Sequence, residues 1–377
     1  MPPDPALLWD GFSRDVAGMF DIVMADIPEA LGAEGLRYML RYLAAGIATC
    51  VEFDDAAYPE LGTLIENRRS WGLDNPDTKY SFTRLEPGAE YRLVGHPGSA
   101  LELEVQVDSG HFADGRFAEW NCLQRWRRGD GSLPLDDSGE LTFTAPEDAS
   151  YLHVREYFGD WETERPALLT VERLGAPLPP PRLGMEQMHA RMELLGQWLT
   201  AGARCWAELG SGLASAEPGD IMPFVPPATA TGLGGQAYGM GGFRCTDDEA
   251  VLLEFEPPPC RYWSVSLATW LWESPDISNT QCSLNHTQAP ADADGTVRIA
   301  LCQRDPGFAN WLDPSGHEQG TIAFRLLDAE ELPVLRYGPL RPGDLDGALG
   351  NSVRVSPGER QQRLGSRRDA VVRRYRR

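Results

Sequence analysis

Leu101-Glu-Leu-Glu-Val-Gln-Val107 alternates strictly, with Leu101, Leu103, Val105 and Val107 on one side and Glu102, Glu104 and Gln106 on the other. A period of two is the pattern of a β-strand with one face in a core, and antiparallel sheets commonly leave the opposite face to water. A second run, Tyr151 to Phe158, sets Tyr151, His153, Arg155 and Tyr157 against Leu152, Val154 and Phe158. Turn clusters at Glu86-Pro-Gly88, Gly129-Asp-Gly131 and Asp136-Asp-Ser-Gly139 separate such runs, so residues 71–175 are expected to form a first β-sheet region.

Outward from this block the period changes. Leu8, Phe12, Val16, Met19, Phe20 and Val23, then Leu36, Met39, Leu40, Leu43 and Ile47, recur at three- and four-residue steps. They predict a helical N-terminal region over 1–70. Beyond the prolines at 177 and 179–181, the stripe Met185, Met188, Met192, Leu195, Trp198, Leu199 and Trp206 predicts an amphipathic helix. With the Gly- and Pro-rich loop expected from Gly210 to about Gly242, it makes a segment over 183–245. Strands are expected again at Ala250–Phe255, Cys260–Trp272, Thr296–Gln303 and Thr321–Leu327, giving a C-terminal β-sandwich domain over 246–340. The tail, 341–377, is basic and expected to be helical, docked on its own acidic body.

Composition excludes several chemistries. The 377 residues carry 34 basic and 56 acidic side chains, a formal charge of −22. Gly358 to Arg377 holds eight arginines against Glu359 and Asp369, or +6, which leaves −22 − 6 = −28 on the rest. A body so acidic repels nucleic acid, so no nucleic-acid partner is expected. Lys79 is the lone lysine and follows Thr78, which removes the P-loop and leaves little for Schiff-base or pyridoxal chemistry. The seven cysteines form no CxxC pair, no apolar run approaches 18 residues, and neither a signal peptide nor a membrane span is read. A cytoplasmic location is the expectation. Gly232, Gly234 and Ala237 satisfy GxGxxA but lack the preceding strand a dinucleotide fold requires. None of the six histidines makes His-x-His or HExxH, so no metal and no cofactor is expected.

The C-terminal tract is more distinctive: Cys260-Arg-Tyr-Trp263, Trp272-Glu273, Ser283-Leu-Asn285, Asp292-Ala-Asp-Gly295, Arg304-Asp-Pro-Gly307, Asn310-Trp-Leu-Asp313, Gly316-His317 and Gly320-Thr321. It resembles the bacterial domain of unknown function (DUF) 1214 family. Upstream, Asp74-Asn-Pro-Asp77 with Tyr80, and the run from Tyr157 to Arg165, resemble its longer members. The resemblance implies a mainly β protein, an antiparallel jelly-roll-like sandwich with helical additions. It implies no established reaction, although some members are associated with breakdown of long-chain alcohols and other lipid-like compounds.

Candidate chemistry centres on the polar loop from Arg304 to Glu318. There His317 is the expected acid/base, Asp313 its partner, and Arg304, Asn310 and Arg325 the holders of an oxyanion or carbonyl oxygen. The face of His153, Arg155 and Tyr157, with Asn285, His286 and Trp272, is the expected ligand-binding surface. The expected function is a cofactor-independent lyase, isomerase or hydrolase acting on a small, largely apolar, oxygenated metabolite, with a homo-oligomer as a possible assembly. The alternative is a non-catalytic binding protein for carbohydrate or a hydrophobic ligand, its tryptophans carrying affinity.

Overall fold

The computed structural model describes residues 3–72, 74–116, 119–225 and 234–375. Helix α1 (Pro5–Met24) starts where the Asp4 carboxylate accepts a hydrogen bond from the Ala6 N–H at 2.9 Å, satisfying an otherwise orphaned donor. Helix α2 (Gly32–Ile47) runs on into a π turn, Ala48–Glu52. The helical region ends there and not near residue 70, because Asp55 turns the chain by accepting from the Ala57 and Tyr58 N–H groups.

Eight strands follow: β1 (Gly62–Ile65), β2 (Thr78–Arg84), β3 (Glu90–His96), β4 (Glu102–Asp108), β5 (Cys122–Arg127), β6 (Glu140–Thr144), β7 (Tyr151–Tyr157) and β8 (Leu168–Arg173), with a single turn of helix, α3 (Leu135–Ser138), before β6. They make two sheets where the sequence suggested one. The larger has the order β1-β2-β7-β4-β5 and the smaller β6-β3-β8. Between them Leu103, Val105, Val107, Leu152 and Val154 pack against Tyr91, Leu93, Leu141 and Phe143.

Helices α4 (Met185–Gln197) and α5 (Ala203–Ala214), joined by a π turn, lead to the second β unit. Its strands are β9 (Met222–Phe224), β10 (Gln236–Arg244), β11 (Ala250–Phe255), β12 (Tyr262–Ala268), β13 (Ser283–Asn285), β14 (Val297–Cys302), β15 (Trp311–Leu312), β16 (Gln319–Leu327) and β17 (Arg336–Leu340). They too form a five-stranded sheet, β13-β12-β16-β10-β9, over a smaller one, β15-β14-β11-β17. The order β10-β16-β12-β13 repeats β2-β7-β4-β5, and β14-β11-β17 repeats β6-β3-β8. No sequence repeat signals this duplication. Strand β10 lies inside the stretch read as loop. Its glycines, which lower strand propensity, are there for close approach: a Cβ on Gly241 would stand 2.4 Å from the Asp220 carbonyl oxygen. Gly232 of the GxGxxA match lies outside the described residues.

The two large sheets face one another. Tyr157 Oη donates to Gln236 Oε1 at 3.2 Å, Asn75 Nδ2 to Tyr262 Oη at 3.2 Å, and the Gly234 N–H to Glu104 Oε2 at 2.9 Å. The rings of Tyr157 and Tyr262 meet edge to face at 5.5 Å. Glu102, Glu104 and Gln106 are therefore fully buried, not in water as the alternation of β4 suggested. Both faces of a large sheet are covered, one by its own sandwich and one by the other unit. Along one side of the seam α1, α2, α4 and α5 pack on Phe82, Tyr151, Ala268 and Ala323.

After a short turn, α6 (Leu345–Ala348), the chain ends in α7 (Pro357–Tyr375). Arg360, Arg367 and Arg374, seven residues apart, are all buried. Arg367 donates to the Ile277 carbonyl and stacks on Trp161 at 4.3 Å; Arg374 reaches the Pro76 carbonyl and stacks on Phe158 at 4.5 Å. The basic tail is thus bound to carbonyls and rings of both β units.

A polar chamber between the two large sheets

The inward rows of the seam follow from register. On the first sheet Tyr80 (β2), Arg155 (β7), Glu104 (β4) and Arg127 (β5) stand side by side. The next row is Phe82, His153, Gln106 and Arg125, and beyond it Asp108 pairs with Tyr151. On the second sheet the rows are Tyr238, Arg325, Ser264 and Asn285, then Met240, Ala323, Ser266 and Ser283.

Charge is concentrated here on buried side chains. Arg155 Nη1 donates to Glu104 Oε1 at 3.1 Å and also to the Gln106 side-chain oxygen. Arg325, from the opposite sheet, donates to Ser266 Oγ at 2.7 Å and reaches the Asp74 carbonyl at 3.5 Å. Both guanidinium groups act on the phenols of Tyr157 and Tyr238, whose pKa values burial raises.

Beside them are polar atoms with no protein partner. Neither ring nitrogen of His153 nor Gln236 Nε2 is hydrogen-bonded among the described residues, though both are buried; the equally buried Asp108 and Ser264 are thinly served, Asp108 by the Gln106 side chain and Ser264 by the Tyr262 phenol. Buried polar groups are nearly always satisfied, and a cluster that is not marks a place where water or a ligand is bound. Burial lifts the Asp108 carboxyl to about 8, with the nearby Glu104 charge adding and Arg155 opposing, so it is protonated at neutral pH. Burial, with Arg155, holds the His153 imidazole well below the usual histidine range, so it is neutral. Phe112, Tyr80 and Tyr151 surround that ring at centroid distances of 5.6, 6.1 and 6.2 Å. His153 pairs across with Gln106, so Asp108 is its diagonal neighbour on the adjacent strand, roughly 7 Å away.

The residues singled out from sequence divide into three groups. His153, Arg155, Tyr157 and Arg325 come together in this chamber. Asn285 and His286 lie at its margin: Asn285 Nδ2 donates to Asp77 Oδ1 and the Gly159 carbonyl, and His286 packs edge-on against Tyr262. The loop residues lie elsewhere and apart. His317 is buried against α2, its Nε2 3.5 Å from Glu34 Oε2, and it makes no hydrogen bond or ion pair with Asp313 or Arg304. Burial lowers the His317 pKa, Glu34 opposing and Arg37 adding to the effect. The Arg304 side chain is 85% exposed, with Asp247 at 4.0 Å as its ion-pair partner. Asp313 caps the Ser315 N–H at 2.8 Å, and Asn310 ties the Pro290 and Arg298 carbonyls together. Tryptophans form no open platform: Trp263 meets Phe255 in the second core, Trp272 lies against Trp206, and Trp311 donates to the Cys302 carbonyl beneath Arg360.

Glu104, Gln106, Asp108, Tyr238, Ser264 and Ser266 were not anticipated as site residues. Their signal was present, a polar face on β4 as regular as its apolar one, but polar alternation is the usual mark of solvent. Among the described residues no three His, Cys, Asp or Glu side chains gather closely enough to hold a metal ion. No described helix is long and apolar enough to cross a membrane.

No protein-family model matches the chain, and no curated protein matches it. Among solved structures it is similar to an uncharacterized protein from Burkholderia cenocepacia, at 25% identity and a TM-score of 0.80, over 89% of this chain and 97% of that one. The VPA0106 protein from Vibrio parahaemolyticus matches at 13% identity and a TM-score of 0.43, over 85% of this chain and 98% of the other. The chain is a mainly β protein of packed antiparallel sheets with added helices, an architecture it shares with the Burkholderia cenocepacia protein.

Proposed function

We propose that the chamber is the active site of a proton-transfer enzyme acting on a small metabolite with an apolar body and an oxygenated head. The observation that carries this reading is the placement of Asp108 and His153 as buried titratable groups on adjacent strands, the imidazole with no hydrogen-bond partner among the described residues. A carboxylic acid that stays neutral at pH 7 can donate a proton to a carbonyl or leaving hydroxyl oxygen, and a neutral imidazole can accept one. Arg155 and Arg325 would stabilise the negative charge that develops on oxygen in such a step. Isomerisation and elimination fit this set best, which moves the acid/base role from His317 to Asp108 and His153. The repeated strand order supports a jelly-roll assignment for each sandwich, and the tract from Cys260 to Thr321 supports affiliation with the DUF 1214 family. The second reading is a binding protein using the same chamber, since the tryptophan rings are taken up in packing.

Proton transfer at carbon can be read without knowing the natural substrate. The full chain would be incubated in D2O with ketones, 2-oxo acids and 3-hydroxy acids of four to eight carbons, and loss of C–H signals followed by proton NMR. Exchange with at least one class that is lost in Asp108→Asn is expected. Exchange that is unchanged in Asp108→Asn, or none above buffer for compounds that bind, refutes the proposal.

A further inference from the structure

We infer that the outer face of α2 is the surface on which a second copy of this chain docks, the two helices lying antiparallel across a two-fold axis. The inference stands apart from the chamber and does not depend on it. Leu36, Leu40, Leu43 and Ile47 recur at steps of four, three and four residues, which at about 100° per residue sets them within roughly 60° of one another. Leu36 is 48% exposed, Leu40 68% and Ile47 38%, with Leu43 half-buried and Ala33 and Ala44 exposed. The opposite side of the helix, Tyr38, Met39, Tyr42 and Ala45, is already committed to the core. A surface helix ordinarily turns polar residues to water, and α2 does not. Its charged side chains are engaged with the second β unit instead: Glu34 lies 3.5 Å from His317 Nε2, and Arg37 and Arg41 lie 3.5 and 3.0 Å from the buried Glu273 carboxylate.

Three arguments make the occupant a second copy. The four-three-four spacing reads the same in both directions, so an antiparallel copy sets Leu36 opposite Ile47 and Leu40 opposite Leu43, apolar against apolar at every step. A two-fold contact needs such a self-complementary patch. The area is also of the right size. Helix α1, joined to α2 by residues 25–31, exposes Leu7, Trp9 and Phe20, so the two helices hold six of the fifteen large apolar side chains exposed among the described residues. At about 100 Å² each they offer roughly 600 Å², and the exposed alanines bring this toward the roughly 800 Å² that each partner gives to a standard interface. Finally, charge disfavours a membrane: the chain carries −22, and the arginines of α2, held by Glu273, form no basic border to grip anionic headgroups.

Sedimentation velocity of the full chain from about 1 to about 100 μM spans the affinities expected of such a contact. The wild type should sediment at twice the chain mass of 41.6 kDa at the upper end. Leu40→Glu, which places a carboxylate against the apolar stripe in both copies, should raise the dissociation constant about a hundredfold or more. Val334→Glu, the same kind of change at a side chain 76% exposed between β16 and β17, should leave it unchanged. If Leu40→Glu loses the wild-type circular dichroism spectrum, Leu36→Gln reads the same contact. A wild type that stays monomeric throughout, or a dimer indifferent to folded Leu40→Glu and Leu36→Gln, overturns the inference. A monomer that floats with phosphatidylcholine vesicles, and ceases to in Leu40→Glu, overturns it too, since lipid would then be what covers the stripe.

Discussion

Replacing Asp108 by Asn should make the protein more stable at alkaline pH relative to wild type, by an amount that the burial of this carboxyl sets. In the unfolded chain an aspartate titrates near 3.9, whereas in the fold Asp108 is lifted to about 8. The sign follows from proton counting. Between those values the native state holds a proton that the unfolded state has released, so stability is fullest below about pH 4 and falls as pH rises through the folded value. Each unit contributes about 1.4 kcal/mol, so roughly four units give on the order of 5 kcal/mol between pH 4 and pH 8. Asparagine, close in shape and neutral throughout, removes that slope. For a chain of 377 residues, 1 kcal/mol moves the melting temperature by about 1 °C. About three of those units fall between pH 5 and pH 8.5, so over that range the difference in Tm between Asp108→Asn and wild type should grow by about 4 °C in favour of the variant. The assay is differential scanning fluorimetry over that range, with tryptophan fluorescence as a second probe. Parallel Tm profiles would show that Asp108 ionises near its ordinary value, and the burial argument for the chamber would be wrong.

Two further outcomes are expected. His317→Gln should lower the melting temperature by about 1 °C through loss of its contact with Glu34, and leave deuterium exchange unchanged; a fall in exchange without a fall in Tm would restore the loop to the site. Arg367→Ala should cost roughly 3 kcal/mol, because it strips a stacked cation from Trp161 and leaves the buried Ile277 and Ser283 carbonyls without their donor. Urea unfolding should register this as an earlier midpoint, and an unchanged midpoint would mean that α7 does not clamp the two β units.

The sequence by itself determined where β4, β7, β11, β12, β14 and β16 lie and, for β4 and β7, which face is apolar. Period-two alternation over Leu101–Val107 and Tyr151–Phe158 is a local property, and it located β4 and β7 to within a residue or two. It placed His153, Arg155 and Tyr157 on one face for the same reason. What the polar face meets is not local. Glu104, Gln106 and Asp108 read as a solvated surface, yet they are buried because a second large sheet lies across them. The loop from Arg304 to His317 failed in the opposite sense: its dense polar side chains looked functional, but they cap turns and bind neighbouring carbonyls. Strand β10 was missed because its glycines, which argue against a strand in isolation, are required only where the Asp220 backbone comes close. The site depends on the stacking of two sheets whose facing strands are about 80 to 220 residues apart in the chain, and periodicity carries no information at that distance. Sequence fixed the faces; only the packing of one sheet on the other turned a polar face into a chamber, because burial and not composition is what shifts the titration of Asp108 and leaves His153 in need of a partner.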